Sequence, residues 1–349
     1  MNLDPTPLQQ ELVEAVTRLL QAECDTARVR AAEASGFDSR LWQSLVELGI
    51  PAMGLAEDHG GIGAGLLELA LVAECHGRFL APVPLVETIV GYRALERSDS
   101  GPATDLLRRL IEAAAPMAIA LDRVNDEGER LAAAGAATTT MICMEEGQLV
   151  VYEHAAPGIK LPNLGAMPLA YRSPRDAVRR VVIAEGAEAK STHETLLHEW
   201  EALTAASLAG LGKAGLDLGI NYAKQRQAFG QPIGAFQAVA HRLADAATQI
   251  EGACLIGRAA AAAARDEPDR FPVLASMALA WCADAAQQAT ADSLHVHGGY
   301  GFALEYDIQL YVRRAKAWPL ILGEPTQRYV AIASTIAAQP DRLQQWISN

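Results

Sequence analysis

At 349 residues, half of them hydrophobic, the chain is long enough to bury a large core spread over two or three packed regions. A formal net charge of −13 argues against a nucleic-acid-binding protein, which needs a basic face. No charge-free apolar run approaches the roughly 20 residues of a membrane span, and the acidic opening "MNLDPTPLQQELVEAV" lacks the basic start of a signal peptide. Five scattered cysteines, Cys24, Cys75, Cys143, Cys254 and Cys282, form no C-x-x-C pair. They predict buried thiols in a reducing compartment, hence a cytoplasmic protein with neither nucleic-acid nor membrane partners.

Residues 1–115 read as an α-helical domain. Leu8, Leu12, Val16, Leu19 and Leu20 recur at helical spacing, as do Leu41, Leu45 and Leu48 behind a capping Asp38. "EDHGGIGAG", Glu57 to Gly65, is a loop that lacks the G-K-[ST] ending of a phosphate-binding loop. The apolar stretch after it closes at Pro82 and Pro84, and a further helix is expected over Pro102 to Ala115. Residues 116–190 read as a small β domain, because "MAIAL", "TTMICM", "QLVVYE" and "AVRRVVIA" are short runs with β-branched residues between turn signals. "EEG" before Gln148 marks a hairpin turn. Residues 191–349 return to helical spacing and predict a C-terminal four-helix bundle domain, so the fold class is α+β.

The loop "RQAFGQPIGAFQ", Arg226 to Gln237, carries more chemistry than an interhelical turn needs. Gly230 and Pro232 are expected to end one helix and Gly234 to delay the next. Arg226 offers a forked cation, Phe229 a flat apolar face and Gln237 an amide that donates and accepts. Together they suit a ligand with phosphates and a flat ring. "HVHGGYGF", His295 to Phe302, holds a second glycine turn, Gly298-Gly299, through which backbone N–H groups can approach a ligand. His295 and His297 stand two apart on a helix and do not face one another, so they make no metal pair.

With "LWQSLVELGIPAMGLAEDHGGIG", Leu41 to Gly63, these motifs resemble the acyl-CoA dehydrogenase family over nearly the whole chain and in the same order. The resemblance implies an N-terminal helical domain, a middle β domain and a C-terminal four-helix bundle. It implies FAD-dependent conversion of an acyl-CoA thioester to the 2,3-enoyl-CoA, with FAD lying across a subunit interface and an electron-accepting flavoprotein as redox partner. By position, Arg226 would face the pyrophosphate, Phe229 would pack on the cofactor and Gln237 would hydrogen-bond it. His295, where relatives usually carry glutamine, and Gly298 and Gly299 would complete the cofactor-binding set.

Three departures qualify the resemblance. The T-E-P-x-x-G-S-D-like segment that contacts flavin in relatives is replaced by "ALDRVNDEGER", Ala120 to Arg130, and no tryptophan occurs between Trp42 and Trp200. The usual position of the catalytic glutamate holds Leu322, in "LILGEPTQRY", with Glu324 two residues on. The alternative position on the first bundle helix holds Trp200, between Glu199 and Glu201, which are expected to be solvated helix-face carboxylates. A one-residue step turns a helical side chain by about 100 degrees, so neither neighbour replaces Trp200 directly. No catalytic residue is therefore assigned. The pattern is similar to the smaller subunits of α2β2 acyl-CoA dehydrogenases of bacterial steroid side-chain degradation. It implies a subunit that completes an interfacial FAD site for a catalytic homologue, which binds most of the acyl-CoA. Two alternatives stay open: a self-sufficient homotetramer using Glu199, Glu201 or Glu324 as base, and a flavin-free structural paralogue.

Overall fold

The computed structural model describes residues 3–98, 100–323 and 325–338; Glu324 lies outside them, as does the side chain of Leu322. The N-terminal part contains α1 (Pro7–Glu23), α2 (Thr26–Ala31), α3 (Ser39–Glu47), α4 (Leu66–Arg78), α5 (Leu85–Arg97) and α6 (Gly101–Glu112). Asp38 caps α3 by accepting from the Arg40 and Leu41 N–H groups, the role its position suggested. Thr6 and Gln9 form a reciprocal capping box at the start of α1.

A six-stranded sheet follows, built of β1 (Ala118–Val124), β2 (Arg130–Ala133), β3 (Thr140–Glu145), β4 (Gln148–His154), β5 (Ala170–Arg172) and β6 (Ala177–Glu185). Its order is β5-β2-β1-β3-β4-β6, antiparallel except for the β1–β3 pair. The turn at "EEG" is a tight hairpin: Glu145 pairs with Gln148 across Glu146 and Gly147, whose φ angles are 48° and 79°. The segment Ala120 to Arg130 is also a hairpin. β1 runs out to Val124, Asn125 Oδ1 accepts from the Glu127 and Glu129 N–H groups, and β2 returns.

The C-terminal part is helical: α7 (Gly186–Gln225), then a two-stranded hairpin of β7 (Gln227–Ala228) and β8 (Gln231–Pro232), then α8 (Gln237–Asp266), α9 (Phe271–His297), α10 (Ile308–Ala317) and α11 (Pro325–Ala337). Helix α7, at 40 residues, is about 60 Å long and forms the spine of the molecule. One continuous core joins its buried face to α1, α4, α5, the inner face of the sheet, α8, α9 and α10.

Glycine makes the tightest crossing in this core. A Cβ on Gly77 of α4 would lie 1.7 Å from the Ser207 carbonyl oxygen of α7. A Cβ on Gly210 of α7 would lie 1.9 Å from the Glu74 carbonyl oxygen of α4. The two backbones touch where neither helix has a side chain. Gly210→Ala should therefore lower stability by about 3 kcal/mol or more in urea unfolding, because backbone atoms cannot yield as a side chain does. Gly101→Ala, at a position with nothing within 4 Å, should be neutral or slightly stabilising. Equal midpoints for the two variants would contradict the crossing.

Candidate functional site

The residues singled out in the sequence gather at one end of the helical part. Tyr222, in the last turn of α7, stacks on His297 at the end of α9 with ring centroids 4.3 Å apart. His297 Nδ1 is also 2.7 Å from the Ser293 carbonyl oxygen. The loops beginning at Arg226 and at Gly298 thus leave from helix ends held side by side. Below them, Arg242 of α8 pairs with Asp292 of α9 at 2.9 Å, and Gln288 donates to the same carboxylate.

The Arg226 loop differs from the sequence expectation in shape. Gly230 and Pro232 do not end the helix; α7 stops at Gln225, and they lie in the β7–β8 hairpin, whose corner is Phe229-Gly230. Both corner residues have positive φ, 53° and 81°. Glycine adopts that conformation freely, whereas phenylalanine does so at a cost of about 1–2 kcal/mol. Phe229 is nonetheless 96% exposed, with the Phe236 ring edge-on to it at 6.1 Å between centroids. Arg226 and Gln237 are exposed, and among the described residues the Arg226 guanidinium has no ion-pair or hydrogen-bond partner. His295, Gly298 and Gly299 are exposed as well, with nothing within 4 Å of where a Cβ would stand on either glycine. Phe302 and Leu304, 76% and 74% exposed, extend the apolar surface just beyond them. A strained aromatic, a free guanidinium and open glycine backbone facing outward form a surface able to hold a flat, anionic ligand.

The structure corrects the reading of Glu199 and Glu201 as solvated carboxylates. Glu199 is 3% exposed and lies between two guanidinium groups of α5, Arg93 at 2.9 Å and Arg97 at 2.8 Å. Glu201 accepts from Arg328 of α11 at 2.6 Å and from Ser276 of α9 at 2.7 Å, and His198 Nδ1 lies 3.4 Å away. Burial alone would raise its pKa; His198, Arg328 and Ser276 together hold it below the usual carboxylate range. Helix α7 has no solvent face at this height, because α5 covers one side and α9 with α11 the other. Trp200, between the two, is 2% exposed. Leu322 closes a short 3-10 turn, Pro319–Leu322, after α10.

Trp200 borders a small, partly open cleft of about 90 Å³, lined by residues from all three parts of the chain. Its walls are largely apolar, with Val83, Val86, Met167, Leu169 and Trp318 among them. It also holds two ionisable groups that sequence reasoning missed. His76 stacks on Trp318 at 5.7 Å, with Nε2 3.2 Å from the Val83 carbonyl oxygen and Nδ1 3.4 Å from Ser207 Oγ. Burial pushes its pKa down to about 4. Glu87, in the first turn of α5, also lines the cleft, and burial pushes its carboxyl up. The only sequence signal was a lone acid inside the apolar run "LAPVPLVETIV". Among the described residues no group of three or more His, Cys, Asp or Glu side chains forms a metal site, and no helix is long and apolar enough to cross a membrane.

Two family models match the chain: the acyl-CoA dehydrogenase C-terminal domain over residues 191–326 and the N-terminal domain over residues 6–97. The chain is 30% identical over 344 residues to acyl-CoA dehydrogenase IpdE2 of Mycobacterium tuberculosis, covering 97% of this chain and all of that one. It is 28% identical to acyl-CoA dehydrogenase FadE27 of the same organism, covering 97% of this chain and 100% of the relative. Among solved structures, a chain of the ChsE4-ChsE5 complex from Mycobacterium tuberculosis superposes with a TM-score of 0.82 at 24% identity, covering 97% and 99% of the two chains. Butyryl-CoA dehydrogenase from Megasphaera elsdenii superposes with a TM-score of 0.82 at 22% identity, covering 97% and 100%.

The buried imidazole sets a pH dependence. In the folded chain His76 stays neutral down to about pH 4, whereas an unfolded histidine takes up its proton near pH 6.5. Between those values the unfolded state binds more protons, so stability falls as pH falls through that window. Relative to its own His76→Gln variant, wild type should lose about 2–3 kcal/mol between pH 7 and 4.5, measured by urea unfolding at each pH. Parallel pH profiles for the two proteins would show that the ring is protonated without penalty.

Proposed function

The chain belongs to the acyl-CoA dehydrogenase family, and from that premise we propose that it is the subunit of a heteromeric enzyme that completes an FAD site held mainly by a catalytic homologue. One observation carries this reading: the residues that would grip the cofactor face outward and unpaired, while the positions that would carry the base in this chain do not. The strain at Phe229 and the exposure of Phe302 and Leu304 fit a surface that a partner covers. Bound FAD supplies the hydride acceptor for 2,3-desaturation of an acyl-CoA thioester. This chain's part is positional. Arg226 holds the pyrophosphate with a permanent charge, Phe229 shields an apolar face, Gln237 and His295 donate or accept at its polar edge, and Gly298-Gly299 admits close backbone approach.

Support for a non-catalytic role comes from the two places where relatives carry their base. One holds Trp200, an indole buried to 2% exposure. The other holds Leu322 by sequence, and Glu324 beside it lies outside the described residues. Glu199 and Glu201 are each tied to guanidinium groups inside the helical part, so neither carboxylate is free to face a substrate. In place of a flavin-contacting loop, Ala120 to Arg130 forms the tight β1–β2 hairpin. The proposed partners are then a catalytic acyl-CoA dehydrogenase homologue in an α2β2 assembly, the acyl-CoA it binds, and an electron-accepting flavoprotein. A steroid or another bulky acyl group is the proposed substrate class, on the strength of the fold's likeness to a solved steroid acyl-CoA dehydrogenase, 24% identical over 95% of this chain.

In the assembled complex, Arg226→Ala should weaken FAD about 10- to 150-fold by equilibrium titration, the effect of losing a charge-assisted contact. Arg226→Lys should recover part of that loss, since a point charge lacks the fork. Glu199→Gln and Glu201→Gln should leave kcat within about threefold, although each removes a buried ionic partner and lowers stability. Unchanged FAD affinity in Arg226→Ala, or a hundredfold fall in kcat in either glutamine variant at full flavin content, would overturn the proposal.

A further inference from the structure

The Gly298-Gly299 turn opens an arm that runs on to Asp307 before α10 begins, and Tyr300, Phe302 and Leu304 all face outward along it. A segment that turns this much apolar surface to solvent has little of its own to keep it ordered. The rest of the chain supplies the order. Gly301 packs down on α9, where a Cβ would lie 2.9 Å from the Leu294 carbonyl oxygen. Tyr306 sets its ring edge-on to His297 at 6.2 Å between centroids, and Tyr300 lies 5.6 Å from Tyr306. A further hold comes from Arg30, in the last turn of α2, 274 positions before Leu304 in the chain. Its Nη2 and Nε donate to the Leu304 carbonyl oxygen at 3.1 and 3.3 Å, and Nη2 pairs with Asp307 Oδ1 at 2.8 Å. Nη1 donates to the Thr26 carbonyl oxygen of its own helix at 3.3 Å, which steadies the guanidinium from behind.

Asp307 stands at the N-cap of α10, where an aspartate ordinarily accepts from N–H groups of the first turn. Its side chain caps nothing and is turned to Arg30 instead. The pair is about one-third exposed on both sides, and ion pairs that wet contribute little to stability. On stability grounds the exchange of a cap for this contact gains nothing. Its gain is geometric. The fork fixes the Leu304 carbonyl and the Asp307 side chain together, and so sets the arm's backbone relative to the N-terminal part of the molecule.

We infer that Arg30, paired with Asp307, is a positioning residue: a strut from the N-terminal part that holds the arm after Gly298-Gly299 in the shape the cofactor surface requires. The inference rests on the cofactor reading above and adds that this surface is ordered before partner or FAD arrives. A loop that holds its binding shape for only a fraction of the time binds more weakly by that fraction, so ordering it in advance strengthens binding without a new contact. Arg30 touches neither cofactor nor substrate; it acts through Leu304 and Asp307.

Hydrogen–deuterium exchange of the full chain, followed by mass spectrometry, reads the strut directly. In Arg30→Ala, peptides covering residues 299–306 should exchange about fivefold faster or more, while the middle of α9 is unchanged. In the assembled complex, Arg30→Ala should weaken FAD about three- to tenfold by equilibrium titration, less than Arg226→Ala, since every cofactor contact is kept. Arg30→Lys keeps a charge for Asp307 and loses the fork, so it should recover part of both losses. Asp307→Asn should act in the same direction, and the double variant should be no weaker than Arg30→Ala alone. Unchanged exchange in the arm would remove the strut. Faster exchange with unchanged FAD affinity, in a complex that Arg226→Ala does weaken, would show that the arm's order does not serve the cofactor. A lower melting temperature in Arg30→Ala with exchange and affinity unchanged would make the pair a plain fastening of α2 to α10. Unchanged FAD affinity in Arg226→Ala overturns the cofactor reading itself, and this inference with it, by a result distinct from the others.

Discussion

The contact of α4 with α7, backbone against backbone at Gly77 and Gly210, is the constraint on which the rest of the molecule depends. Two helices can approach this closely only where neither carries a Cβ, and the approach fixes both their separation and their register. From that crossing toward its N-terminus, α7 presents Glu199 to the arginines of α5 and Trp200 to the cleft. Toward its C-terminus it runs to Tyr222, whose stacking on His297 sets the position from which the Arg226 hairpin projects. Both ends of the functional argument are thus carried by one rigid rod about 60 Å long.

The two regions differ in how their polar groups are satisfied. Around the middle of α7, carboxylates are matched to guanidinium groups: Glu199 to Arg93 and Arg97, Glu201 to Arg328. Such clusters fix the side chains in place. At the end of the same helix the pattern reverses. Arg226 has no partner among the described residues, Phe229 is exposed in a strained conformation, and two glycines leave their backbone open. An exposed strained aromatic and open glycine backbone beside an unpaired cation support the cofactor surface proposed above.

Much of this was legible from the sequence. Helical spacing located α1, α3, α7, α8 and α9, and β-branched runs located β1, β3, β4 and β6. The short strands β2 and β5 were missed, since "RLAA" and "AYR" hold no β-branched residue and pair only because the chain brings them beside β1. The Phe229-Gly230 hairpin was missed because glycine and proline mark a break without saying which turn fills it. The burial of Glu199 and Glu201 depends on Arg93, Arg97 and Arg328, residues about 100 or more positions away, and no local pattern reports that pairing. Glu87 was overlooked for the converse reason: one acid in an apolar run resembles a solvent-facing position until the fold encloses it.

The central claim is that this chain offers a cofactor surface it cannot use alone. The most direct measurement is the absorbance spectrum of the chain purified alone and after co-expression with a catalytic homologue, with flavin counted per chain. The account predicts little or no bound FAD and a lower oligomeric state for the chain alone, and a yellow heteromer in the second preparation. One FAD per chain in a stable homotetramer of this chain by itself would contradict it.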